Sequence, residues 1–182
     1  MTDRDDLARR IYTTSHLTGE FTLRSGAVSS QYFDKYLFEA DPRLLADIAA
    51  ALGGLVPPGA EALAGLELGG VPIATMLSQV TGLPALFVRK EAKTYGTCKL
   101  AEGGEVAGRR LVVVEDVVTS GGQVIASCAD LRERGAEVLA VLCVIDREAG
   151  GVDALAANDL ALRPLFTMSE LARAASATTR FA

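Results

Sequence analysis

LVVVEDVVTSGGQ, residues 111–123, decides how the rest of this chain is read. Leu111, Val112, Val113 and Val114 form an unbroken apolar run of the kind that marks a strand covered on both faces. Glu115 and Asp116 follow at once. Val117 and Val118 lead into Thr119, Ser120, Gly121 and Gly122, a turn of hydroxyls and glycines, and a helix-like stretch begins after Gln123. A strand whose tip opens through a glycine turn into a helix N-terminus is suited to anions, because free N–H groups and the helix dipole both favour phosphate. Carboxylates repel phosphate. Glu115 and Asp116 must therefore face something else, such as sugar hydroxyls or a magnesium ion.

Outward from this stretch, strands and helices alternate. Asp3 to about His16 reads as a helix, Thr22-Leu23 and Tyr32-Phe33 as short extended pieces about a Ser25-Gly26 turn. A helix over Pro42 to Leu52 has Asp41 as its N-cap. A Pro57-Pro58-Gly59 break follows, then a strand over Ala62 to Leu66 and a turn at Gly69-Gly70-Val71-Pro72 into a helix from Ile73 to Val80. Ala85 to Val88 and Val138 to Ile145 read as further strands. Residues 91–108 lose apolar periodicity, and a long irregular segment inside a compact domain is either functional or disordered. The tail offers a helix-like GGVDALAAN, a strand-like LALRPLF and a last helix from about Ser169. This alternation predicts an α/β fold, a parallel sheet with helices on both faces.

The 182 residues suit one domain that buries roughly 70% of its unfolded surface. A net charge of −5 without any basic block argues against duplex nucleic acid as a general partner. No apolar run is long enough to cross a bilayer, and the N-terminus is charged rather than signal-like, so the expected location is cytoplasmic, with no membrane partner. Cys98, Cys128 and Cys143 show no metal-ligand spacing. The single histidine, His16, lies in no motif, and a helix C-terminal cap explains it.

Leu111 to Gln123 closely resembles the phosphoribosyl-diphosphate signature of the type I phosphoribosyltransferases. The resemblance implies that fold, with a small N-terminal hood: one domain over 1–182, with 1–40 and the C-terminal segment contributing the hood. It gives Glu115 and Asp116 the two ribose hydroxyls, and Val117, Val118, Thr119, Ser120, Gly121, Gly122 and Gln123 the 5′-phosphate loop. The Gly69-Gly70 turn is similar to the family's diphosphate loop, although Gly69 stands where many orotate enzymes carry Lys.

FVRKEAKTYGT resembles the catalytic loop of the orotate phosphoribosyltransferases. Arg89, Lys90 and Lys93 would supply cations to the departing diphosphate, and Tyr95 stands where many bacterial members have His. FTLRSGAVSSQYFDKY resembles the segment around the orotate pocket, with Arg24 at a Lys position and Tyr32 and Phe33 as the aromatic pair. Arg147, together with Thr119, would hold the orotate carboxylate through paired hydrogen bonds.

The implied reaction joins orotate and 5-phosphoribosyl 1-diphosphate to give orotidine 5′-phosphate and diphosphate, a step of pyrimidine biosynthesis. Lys93, Arg89, Asp116 and Glu115 would be its catalytic residues. Magnesium would ride mainly on substrate oxygens, without dedicated protein ligands. The resemblance further implies a homodimer, with the Arg89–Gly104 loop shared across the interface. A transferase for another base, such as a purine, or a non-catalytic regulator binding the same sugar diphosphate, stays open.

Overall fold

A computed structural model of the chain describes residues 3–22, 26–91 and 99–178. Its centre is a sheet of β3 (Ala62–Leu66), β4 (Ala85–Val88), β5 (Ala101–Glu102), β6 (Arg110–Val118), β7 (Glu137–Asp146) and β8 (Leu162–Thr167), in the order β5-β4-β3-β6-β7-β8. All neighbours are parallel except β4 and β5. Parallel neighbours need crossovers, supplied by α4 (Gly70–Thr81), α5 (Gly122–Glu133) and α6 (Gly151–Ala156).

Both faces of the sheet are covered, which is why its strands are apolar throughout. Leu63, Val112, Val114, Leu142 and Val144 point into one core, shared with α1 (Arg4–Ser15), α3 (Pro42–Gly53), α4 and α7 (Met168–Thr178). Their alternates Ala62, Ala64, Leu111, Val113, Val141 and Cys143 point into a second core, shared with α5 and α6. Burying one such Leu or Ile contributes roughly 1.5–3 kcal/mol. Cys128 and Cys143 are packing residues in the second core.

Between the first helix and the sheet lies a smaller unit. β1 (His16–Thr22) and β2 (Val28–Phe33) pair antiparallel, and α2 (Lys35–Ala40) follows. His16 ends α1 by donating its backbone N–H to Tyr12 O and opens β1, with its ring stacked on Tyr12 at 4.8 Å. At the far end of the chain α7 packs on α1, where Arg4 pairs with Glu170 at 3.2 Å and covers the Phe166 ring.

The structure departs from the sequence reading at three places. β6 does not stop at Val114. Its ladder with β7 continues through Val118↔Asp146, so Glu115 and Asp116 lie inside the strand rather than beyond its tip. Segment 91–108 is not wholly irregular, because Ala101–Glu102 pairs with β4, and Leu100, Ala101 and Val106 join the second core. Two residues are too few to display a period. Finally, α2 was not visible in the sequence: six residues between the Asp34 cap and Asp41 hold less than two turns.

Strand order places the functional ground. From β3 the chain crosses to β4 on one side, and from β6 to β7 on the other. The connections diverge between β3 and β6, and ligands of open α/β sheets bind in the crevice at the carboxyl ends of such neighbours.

Candidate active site

Two loops meet at that crevice. The first joins β3 to α4 through Glu67, Leu68 and Gly69, with a cis peptide between Glu67 and Leu68. The second joins β6 to α5 through Thr119, Ser120 and Gly121. Both helices begin without a side-chain cap. This suits the start of α5 to an anion, whereas in the first turn of α4 Val71 N–H donates to Leu68 O at 3.2 Å and Pro72 has no N–H to offer. Gly121 has φ +80°, a left-handed turn, and a Cβ there would lie 2.3 Å from Leu155 Cδ1. Gly122 is exposed at the helix start. Gln123 is exposed too, and its Nε2 donates to Ser127 Oγ. Thr119 and Ser120 face solvent, Val117 is half-buried, and Val118 is buried in the second core.

The acids lie between the two loops. Asp116 is 0% exposed and Glu115 9%. Glu115 Oε1 accepts from Asp116 N at 2.9 Å, which draws the two carboxyl groups together. Asp116 lies against the first loop so tightly that a Cβ on Gly69 would be 1.5 Å from its Oδ2. Gly70 is equally constrained, since a Cβ there would meet Val114 O at 2.2 Å. These two glycines let a helix start directly beside the acids.

A third acid and a cation arrive from α2. Lys35 Nζ lies 2.5 Å from Asp116 Oδ2, and Glu39, one turn later, is 8% exposed. Burial, then the charge of Asp116, pushes the Glu39 carboxyl up to about 8. The same two causes push Glu115 up to about 9. Burial pulls the Lys35 ammonium down, but its hydrogen bond to Asp116 and the nearby negative charge outweigh this and leave its pKa above the ordinary value. Neither Lys35 nor Glu39 was singled out in the sequence. Lys35 stands two positions after Phe33, and only the fold of α2 turns it toward Asp116.

On the other flank, Tyr32, Phe33, Lys35, Val117, Thr119 and Arg147 line a cavity of about 230 Å³. The Arg147 guanidinium stands 6.0 Å from the Phe33 ring centre, and Tyr32 stacks on Phe21 at 5.5 Å. Arg147 follows β7 directly, and its backbone N–H donates to Val118 O at 2.9 Å, which fixes it beside the phosphate-type loop. Its acidic neighbours are otherwise engaged. Asp146 Oδ1 accepts from Glu148 N, and Glu148 Oε2 from Ser169 N.

The basic residues at the end of β4 lie close to the first loop. Lys90 N donates to Glu67 Oε1 at 2.6 Å, and Arg89 Nε lies 3.5 Å from Glu102 Oε1. Arg24, Lys93 and Tyr95 lie outside the described residues. The remaining residues assigned from sequence come from the ends of β2, β3, β4, β6 and β7. The result is an acid-lined, glycine-walled crevice with two uncapped helix ends and an aromatic cavity holding two cations.

Residues 39–157 match the phosphoribosyl transferase domain family. An orotate phosphoribosyltransferase of Nocardioides sp. is 58% identical over 165 residues, spanning 91% of this chain and 92% of that protein. A crystal structure of Mycobacterium tuberculosis H37Rv orotate phosphoribosyltransferase superposes with a TM-score of 0.85 at 33% identity, covering 93% of this chain and 99% of that one. The same enzyme in complex with 5-phospho-alpha-D-ribosyl 1-diphosphate gives 0.81 at 30% identity, covering 94% and 99%.

Proposed function

Because this chain belongs to the phosphoribosyl transferase family, among its orotate phosphoribosyltransferases, we propose that it transfers the phosphoribosyl group of 5-phosphoribosyl 1-diphosphate to orotate. The products are orotidine 5′-phosphate and diphosphate, and the step serves pyrimidine biosynthesis. The observation that carries the reading is the junction at Asp116: buried acids on one side of it, the Arg147 cavity on the other, and two uncapped helix ends beneath.

The residues divide the substrate by charge. Glu115 and Asp116 take the ribose hydroxyls, and Thr119 to Gln123 take the 5′-phosphate at the start of α5. Gly69 and Gly70 present backbone to the diphosphate. Tyr32 and Phe33 give the flat base an apolar face, and Arg147 pairs with its carboxylate. Holding the sugar at both ends fixes its C1 against the base nitrogen, which removes most of the entropy of encounter. Orotate brings an anionic nucleophile, so no strong protein base is needed. Arg89, Lys90 and Lys93 stabilise the leaving diphosphate as its charge grows. Lys93→Ala accordingly lowers turnover far more than orotate binding.

Magnesium is the ion this chemistry calls for, as a Lewis acid on the diphosphate. Among the described residues no group of three or more His, Cys, Asp or Glu could hold a metal. Substrate oxygens would supply most of its ligands, as the ion prefers. The assembly is a homodimer that shares the Arg89–Gly104 loop, and the location is cytoplasmic. No helix of the described residues is long and apolar enough to cross a membrane. A steady-state assay with orotate, adenine, guanine and hypoxanthine tests the reading. Turnover of orotate alone is expected; turnover of a purine instead of orotate, or ligand binding without turnover, overturns it.

A further inference from the structure

Three carboxyl groups, on Asp116, Glu115 and Glu39, crowd one buried corner, and Lys35 brings a cation into contact with them. Lys35 and Glu39 lie one turn apart, so one face of α2 carries both toward β6. That short helix is firmly seated. Asp34 N donates to Ser15 O at 2.8 Å, the Asp34 carboxylate accepts from Tyr36 N at 3.1 Å, and Phe38 is fully buried. On the opposite side the first loop can approach Asp116 only as bare backbone, because a Cβ at Gly69 would fall 1.5 Å from Oδ2. A charge partner for this carboxylate therefore cannot come from position 69; it comes from α2.

We propose that Lys35 is a positioning residue for the sugar end of the site: its ammonium, delivered by α2, holds the Asp116 carboxylate in the orientation that receives the ribose. The inference rests on the function proposed above. A carboxylate flanked by two other carboxyl groups and a close-packed backbone gains from turning outward, and a fixed cation 2.5 Å away opposes that turn. Lys35 also lines the Arg147 cavity, so one side chain ties the sugar end to the base end where the new bond forms.

A double-mutant cycle on binding of 5-phosphoribosyl 1-diphosphate, measured by calorimetry without orotate, tests this. Lys35→Ala is expected to weaken binding about tenfold or more, the scale of a lost charge-assisted contact. The KM for orotate rises less than the affinity for the sugar diphosphate falls, although Lys35 also lines the Arg147 cavity. In an Asp116→Asn background the same change costs little further, because its effect runs through that carboxylate. Lys35→Arg recovers most of the affinity, and Lys35→Gln serves the cycle if the alanine variant does not fold. Additive losses, an arginine variant as weak as alanine, or an orotate KM that rises as far as the sugar-diphosphate affinity falls would each overturn the inference. A wild-type chain that binds the sugar diphosphate without using orotate, with the cycle still coupled, removes the base assignment and leaves Lys35 in place. Orotate turnover with an additive cycle does the reverse.

Discussion

The helices of this protein start in two ways. α1, α2 and α3 are capped by Asp3, Asp34 and Asp41, whose carboxylates accept from backbone N–H groups of the first turn. α4 and α5 start at Gly69 and Gly121 with no side-chain cap, although in α4 Val71 N–H donates to Leu68 O. The first three contribute side chains to the first core, and the last two start at the crevice between β3 and β6. An aspartate cap satisfies one or two of the orphan donors and places a carboxylate at the positive end of the helix dipole, which disfavours a second anion there. The glycine start of α5 leaves both donors and dipole unspent and admits an anion at van der Waals distance. Among α1 to α5 the contrast separates starts satisfied by an aspartate from starts left to glycine; α6 also starts at an uncapped glycine, Gly150.

Converting one kind of start into the other gives the largest expected effect. Gly121→Asp places a carboxylate at the mouth of α5, at φ +80° and against Leu155. Affinity for 5-phosphoribosyl 1-diphosphate should fall about 100-fold or more, from repulsion and the loss of open donors. Strain should cost about 1–3 kcal/mol in a denaturant melt. Unchanged affinity in calorimetry would erase the distinction between the two classes of helix.

Gly69→Ala comes next, since its methyl group must displace the Asp116 carboxylate. We expect a fall of about tenfold in kcat/KM for the sugar diphosphate with a smaller change for orotate. Equal losses for both substrates would mean that α4 merely supports the wall.

The acids beside the uncapped helices should also leave a mark on stability against pH. Glu39 and Glu115 have folded-state pKa values raised to about 8 and about 9 from 4.5. A carboxyl raised in this way stabilises the ligand-free fold fully below its unfolded value, and that contribution is lost as pH climbs toward the folded one. The Tm of the ligand-free chain should therefore decline between pH about 5 and about 9, and Glu39→Gln should flatten the decline. Asp41 runs the other way. Its backbone hydrogen bonds to Leu44 and Arg43 hold its carboxyl below the usual range, so its contribution is present above its unfolded value and lost in acid.

The smallest effect belongs to the capped class. Asp41→Ala removes the Oδ1 that accepts from Arg43 N and Leu44 N of α3, each at 2.9 Å, and should lower Tm by about 2–4 °C. Steady-state kinetics should stay at wild-type values; a clear loss of kcat would show that the capped helices also tune the site.

Much of this was readable in one dimension. The runs Ala62–Leu66 and Leu111–Val114 announced strands covered on both sides, because a residue buried on either face must be apolar whichever way it points. Asp41-Pro42 announced a capped helix start, since the cap and the fixed φ act within one turn. The acid pair followed by hydroxyls and glycines is local in the same way: loop, donor groups and helix dipole are neighbours in the chain.

Other features were beyond local reading. The continuation of β6 through its acids depends on Cys143, Ile145 and Asp146 of β7 alongside, and the pairing of Ala101–Glu102 depends on β4. Lys35 looks like an ordinary solvent lysine in FDKY. Its ion pair arises only when α2, seated by Asp34 and Phe38, sets it over β6.

The amino-acid sequence by itself determined the parallel α/β architecture, the two glycine helix starts and the acid pair, because each is written in contiguous residues whose chemistry acts within a turn or a strand. Tertiary structure alone decided that β3 and β6 are neighbours, that Gly69 abuts Asp116, and that the cation beside that acid comes from Lys35. Those outcomes depend on strand order and side-chain direction, which are set by the packing of both cores and by no local stretch of the chain.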